Sequence, residues 1–280
     1  MVKLRKLMFV LPNLFTVTSI FCGFYALTLC SGEATPAQLY QAAIAIFFAM
    51  FFDGFDGRVA RLTRTQSQFG VELDSLADVV SFGVVPAMLA YKWALAPLGL
   101  VGIFIAFGYA ACGALRLARF NVIAQRSPHG GASAFFVGLP IPFAALGIVS
   151  MVLAHYALSH GSQLPATVQV PIAVVVVLLS LLMVSTIPFR TFKHVRPSSV
   201  SIGIFVVLCA LSVAVSILWH PAFVLVLLFG AYLLMGFGES MLALGRRLSA
   251  ARVGLPAAAV ALEDDDVDED EDDIDEQDYL

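Results

Sequence analysis

Hydrophobic and polar positions along the chain alternate on the scale of whole helices. Apolar runs near 7–30, 38–53, 75–94, 97–115, 134–157, 168–187, 200–218 and 221–241 are separated by short polar segments. A bilayer core about 30 Å thick is crossed by about 20 helical residues. Inside hydrocarbon every backbone N–H and C=O must be paired within its own segment, which only a helix achieves for a single run. The pattern therefore predicts an all-α, polytopic membrane bundle of about eight transmembrane helices, with 38–53 the shortest span. Composition agrees: 60% of the 280 residues are hydrophobic and 13% charged, with mean hydropathy +0.90, against about 45–50% apolar residues in soluble domains. The first run follows Lys3, Arg5 and Lys6, as a secretory leader would. Its length and the lack of a small-residue cleavage site predict a retained helix instead.

Charge supplies the orientation, because Lys and Arg of short loops stay on the cytoplasmic side. With eight spans and both termini inside, 15 of the 16 basic residues fall on the cytoplasmic side and Lys92 alone falls outside. Removing or adding a span would scramble that sorting. The net charge of −4 conceals a division. Thirteen of the 20 acids lie from Glu263 onward, so residues 1–262 carry 16 bases and 7 acids. A membrane domain over residues 1–258 is expected, followed by an acidic, disordered cytoplasmic tail over 259–280. A basic cytoplasmic face suits anionic headgroups or a phosphate-bearing substrate, and nothing points to nucleic acid. Cys22, Cys30, Cys112 and Cys209 lie in apolar runs without CxxC spacing, so neither a metal site nor a disulfide framework is expected.

Four acids stand out. Asp53 and Asp56 close the second run and Asp74 and Asp78 open the third, in "FFDGFDGRVARLTRTQSQFGVELDSLADVV". A carboxylate at the bilayer centre costs about 2.5–3.5 kcal/mol. The predicted topology moves all four to the cytoplasmic interface, where water and ions reach them. Spacings of three and four place each pair on one helix face, and the turn at "TRTQSQFG" would bring the faces together. Four such carboxylates repel unless cations lie between them. An oxygen-only set without His or Cys selects hard divalent ions, Mg²⁺, Mn²⁺ or Ca²⁺. Gly57 and Ala60 leave a low helix surface for a flat ligand, and Arg61 can pair with a phosphate or a neighbouring aspartate. Simple neutralisation of Arg58, Arg61 and Arg64 would explain one or two acids but not four at helical spacing.

The same residues carry a resemblance. "DGFDGRVARLTRTQSQFGVELDSLAD" resembles the signature of the CDP-alcohol phosphatidyltransferases, DxxDGxxAR, eight residues, then GxxxDxxxD, matched at Asp53, Asp56, Gly57, Ala60, Arg61, Gly70, Asp74 and Asp78. "LPNLFTVTSIFCGFYAL", "SLADVVSFGVVPA", "ALRLARFNV" and "FVGLPIPFAA" are similar to the phosphatidylserine synthase branch of that family. The resemblance implies transfer of a phosphatidyl group from CDP-diacylglycerol to the hydroxyl of L-serine, with release of CMP, in the cell membrane and by a homodimer. It implies that Asp53, Asp56 and Asp74 hold two divalent cations, Mg²⁺ or Mn²⁺. Asp78 would share a metal and act as general base, Gly57 and Ala60 would make room for the cytidine, and Arg61 would orient the acids or phosphates.

Further candidates carry two readings each. Asn13 and Thr16 on the first helix either line the nucleotide site, as the resemblance implies, or bond their own backbone. Arg116, Arg119 and Asn121 either hold the acceptor, a guanidinium being suited to serine's carboxylate, or mark the cytoplasmic end of a span. Gly70, a position of the signature, is placed on the substrate side, and Ser81 belongs either to the substrate side or to helix packing. Rival functions are a same-family enzyme using choline, inositol or glycerol phosphate, and a cation transporter. The latter would place acids near mid-span with broken helices or repeats. A prenyltransferase would carry two distant Asp-rich motifs, and this chain has one cluster outside the tail.

Overall fold

A computed structural model describes residues 2–63, 65, 67–126, 135–159, 161–162, 164–190, 199–218 and 220–236. The chain divides into two units, Met1–Leu233 and Leu234–Leu280, and the first holds all four aspartates of the acidic cluster. The acidic tail and the boundary at 258, together with Arg64, Lys193, Arg196, Arg246, Arg247 and Arg252, lie outside the described residues.

The described chain is helical apart from one short ribbon. Helices are α1 (Val2–Leu29), α2 (Pro36–Leu62), α3 (Gln68–Leu98), α4 (Leu100–Arg126), α5 (Ile141–Ser159), α6 (Ala166–Val184), α7 (Ser199–Leu218) and α8 (Ala222–Gly236). Among the described residues, five helices are long and apolar enough to cross a membrane: Pro12–Leu29 of α1, α3, Leu100–Ile123 of α4, α5 and α6. The protein is a multi-pass membrane protein. Helix α2 is not among the five. Its apolar stretch is short because it closes on Asp53, Asp56, Arg58 and Arg61.

Local chemistry sets the ends of the two helices that matter most. Helix α2 starts at a capping box, in which Thr35 accepts from the Gln38 N–H while the Gln38 side chain accepts from the Thr35 N–H at 2.8 Å, with Pro36 in the first turn. It runs past its apolar stretch to Leu62, so both of its aspartates are helical. Helix α3 begins at Ser67, whose Oγ accepts from the Gly70 N–H at 3.0 Å. It continues through two π-helical turns, Val79–Val84 and Tyr91–Leu95. Pro86 has no N–H to offer the Phe82 carbonyl four residues back. The buried Tyr109 hydroxyl of α4 donates to that carbonyl instead, at 3.3 Å.

The apolar run at 134–157 is divided. Phe135–Val137 pairs antiparallel with Pro188–Arg190, and α5 begins only at Ile141. Gly138 causes the break. Its φ is +82°, and a Cβ there would stand 2.5 Å from the Met183 carbonyl oxygen, so neither a helix nor a larger residue fits.

Small residues bring the helices close. Ala42, Ala43, Ala45 and Ala49 of α2 are buried together with Ile46, in one core with Ala26 of α1 and Ala144, Ala145 and Ile148 of α5. Helix α1 also closes on α3 at Gly23, where a Cβ would lie 2.8 Å from Ser81 Oγ. These contacts fix the ends of α1, α2 and α3 that carry the polar residues.

Candidate active site

The four aspartates meet across α2 and α3. The Asp53 carboxyl lies against that of Asp78, and the Asp56 carboxyl against that of Asp74, the pattern of two antiparallel helix ends. Asp53, Asp56 and Asp74 each offer an oxygen, and these oxygens all lie within 4.8 Å of one another. Two ionised carboxylates about 4 Å apart repel by about 4 kcal/mol at an effective dielectric constant near 20. A site in which all four are ionised needs cations.

The donor chemistry fits divalent ions. Asp53 Oδ1 and Asp78 Oδ1 are buried with no hydrogen-bond partner among the described residues, and buried polar atoms are otherwise almost always satisfied. Asp56, 5% exposed, is held on both oxygens. Thr16 Oγ1 donates to Oδ2 at 2.8 Å, and the Gly57 N–H donates to Oδ1. The cluster can hold a metal ion through oxygen alone, the set that hard cations prefer.

A cavity of about 290 Å³ opens beside Asp56 and Asp74. Asn13, Thr16, Gly57, Ala60, Arg61 and Gly70, all singled out in the sequence, line it. Nothing lies within 4 Å of where a Cβ on Gly57 would stand, so that glycine leaves open space. Gly70 stands with this group and not with the residues at the end of α4. A Cβ there would approach Asn13 Oδ1 to 3.4 Å. Thr65 and Ser67 line the cavity too, and the sequence does not single them out. The one sequence signal for Ser67 is its position three residues before Gly70, as an N-cap.

On the other side of the cluster stands the end of α4. Arg116 is 8% exposed and lies within Coulombic range of Asp78. Asn121 Nδ2 donates to Ser75 Oγ at 3.0 Å, tying α4 to α3 between Asp74 and Asp78. Arg119 is exposed and its Nη1 reaches the Val184 carbonyl at 3.5 Å, so it is not brought to the acids. Ser81, fully buried, donates to the Ser19 carbonyl at 3.3 Å and holds α3 against α1.

The family model of the CDP-alcohol phosphatidyltransferases matches residues 9–185, a stretch that contains every aspartate of the cluster. The chain belongs to this family. Among its relatives, a CDP-diacylglycerol–serine O-phosphatidyltransferase of Helicobacter pylori is 38% identical over 194 residues, 68% of this chain and 75% of that protein. A Bacillus subtilis protein of the same name is 37% identical over 183 residues, 65% of this chain and 91% of its own length. One from Methanocaldococcus jannaschii is 35% identical over 193 residues, 68% and 80% respectively. Within the matched stretch, Thr16 of α1, Asp56 of α2 and Asp74 of α3 line one cavity.

Proposed function

We propose that the protein transfers the phosphatidyl group of CDP-diacylglycerol to the hydroxyl of L-serine and releases CMP. The observation that carries this reading is the convergence of Asp53, Asp56 and Asp74 beside the cavity bordered by Gly57 and Ala60. Similarity to three relatives named for the serine reaction supports the acceptor.

Asp53, Asp56 and Asp74, with Asp78 shared, are the groups that would hold Mg²⁺ or Mn²⁺. Bound there, the cations supply Lewis-acid stabilisation of the diphosphate and of the charge that develops at phosphorus. The rest falls to the chain. Thr16 and the Gly57 N–H hold Asp56 in one orientation. Gly57 and Ala60 leave the surface against which the cytidine lies, and Arg61 pairs with a phosphate. Arg116, beside Asp78, takes the carboxylate of serine. Asp78 accepts the hydroxyl proton as the serine oxygen bonds to the phosphatidyl phosphorus. The bond from that phosphorus to the CMP oxygen breaks, and CMP leaves with the electron pair.

The basic residues favour eight spans across the cell membrane with both termini on the cytoplasmic side, which puts the site at the cytoplasmic headgroup level. Residues 1–258 then form the catalytic membrane domain and 259–280 an acidic tail, and the family resemblance extends the reading to a homodimer. The test is incorporation of radiolabelled L-serine into lipid by purified protein. Incorporation should require both CDP-diacylglycerol and a divalent cation. Serine left entirely in the aqueous phase under those conditions would overturn the assignment.

A further inference from the structure

Helix α8 lies past residue 185, where the family match ends. Its Ala222, Leu225, Phe229 and Tyr232 recur at spacings of three and four, which is one helix face. Tyr232 belongs to the core of the bundle and the other three pack against it. The seating is antiparallel on the first half of α5. Tyr232 stacks on Phe143 with centroids 4.2 Å apart and ring planes at 17°. One turn earlier the Phe229 ring lies over Gly147, where a Cβ would stand 2.7 Å from its Cζ. The bare backbone at Gly147 admits that ring, which sets the register of α8 and leaves Tyr232 buried.

That register brings a phenol to the acceptor end of the site. The buried Arg116 of α4 lies within Coulombic range of both Asp78 of α3 and Tyr232 of α8. A guanidinium carries five N–H donors in a rigid planar fork, and a carboxylate facing it bidentately engages two of them. Were Asp78 its sole neighbour, Arg116 would close on that carboxylate. The oxygen that accepts the hydroxyl proton and the donors meant for serine would then be occupied with each other. A second neighbour from another helix counters this collapse.

We propose that Tyr232 is a positioning residue, which holds the Arg116 guanidinium where it takes the carboxylate of serine while Asp78 keeps an oxygen for the hydroxyl proton. The inference rests on the serine-transferase reading above and adds to it a contribution from α8, outside the matched stretch. A phenol suits the task because it is a neutral acceptor. It orients an N–H more weakly than an ionised carboxylate does, so it leaves the charge of Arg116 to the substrate. The stack on Phe143 fixes the ring, and with it the place of the hydroxyl.

The experiment is a double-mutant cycle on full-length protein in detergent with Mn²⁺, reading KM for L-serine and for CDP-diacylglycerol in the parent, Tyr232→Phe, Arg116→Lys and the double variant. Tyr232→Phe keeps the ring and its stack, so the melting temperature should stay within about 2 °C of the parent. KM for serine should rise about fivefold and KM for CDP-diacylglycerol should stay within about twofold. In the Arg116→Lys protein the same substitution should change KM for serine by less than about twofold, because the partner through which Tyr232 acts is gone. An unmoved KM for serine in Tyr232→Phe, an equal rise for both substrates, or the same fold-change in both backgrounds would overturn the inference. Parent protein that forms no lipid from serine overturns the transferase reading itself, whereas normal parent turnover with an unmoved Tyr232→Phe overturns the role of Tyr232 alone.

Discussion

Thr16 Oγ1 of α1 stands 2.8 Å from Asp56 Oδ2 of α2, joining two side chains 40 positions apart. Thr16 is 3% exposed, so water does not replace its hydroxyl. Hydrogen bonds to charged groups are worth about 1.5–3 kcal/mol. Thr16→Val should therefore raise the half-saturating Mn²⁺ concentration by on the order of tenfold or more, whereas Thr16→Ser should stay near the parent value. Metal titration of the activity reads this directly, and equal values for both variants would remove Thr16 from the metal site.

Gly57 separates stability from function. It lies inside α2, where replacing Gly by Ala gains about 0.5–1 kcal/mol of helix stability. The added methyl enters the open space beside Asp56. Gly57→Ala should raise the melting temperature by a few degrees while raising KM for CDP-diacylglycerol several-fold, and Gly57→Leu should abolish turnover. Unchanged KM in Gly57→Ala would show that the nucleotide lies elsewhere.

Arg116 tests the acceptor side. Its guanidinium is buried near Asp78, and a guanidinium holds a carboxylate in a way an ammonium does not. Arg116→Lys should raise KM for serine about tenfold or more and leave KM for CDP-diacylglycerol within about twofold. A rise in both together would assign Arg116 a structural role in the cluster.

Much of this site is legible in the sequence, and the reason is spacing. Acids three and four apart must share a helix face, and two such pairs on consecutive runs have to meet once a short turn joins them. Hydropathy also locates the helices, because a bilayer demands long apolar runs. It fails where backbone conformation decides. The run at 134–157 reads as unbroken, and only the left-handed Gly138 reveals the strand and the late start of α5. Cross-helix partners are equally hidden. Ser75 looks like a spacer between acids, and its bond to Asn121 joins elements 46 positions apart. Ser81 and Arg119 resemble site residues in sequence, but their partners are the Ser19 and Val184 carbonyls.

The α1–α3 contact has its own test. A side chain at Gly23 would meet Ser81 Oγ at 2.8 Å and the backbone of the same residue at 3.2 Å, and overpacking costs about 1–3 kcal/mol. Gly23→Leu should lower the melting temperature measurably. Because α1 carries Thr16, the metal requirement should rise in the same variant. Wild-type stability would contradict the close approach.

The aspartate cluster is held to activate an alcohol, and that alcohol to be serine. CMP release by purified protein with CDP-diacylglycerol and Mn²⁺, measured across L-serine, glycerol phosphate, inositol and choline, tests both points most directly. The prediction is release with serine alone, falling at least about a hundredfold in Asp78→Asn while that variant still binds CDP-diacylglycerol. Faster release with another alcohol would contradict the serine assignment, and a near-normal rate in Asp78→Asn would contradict its role as base.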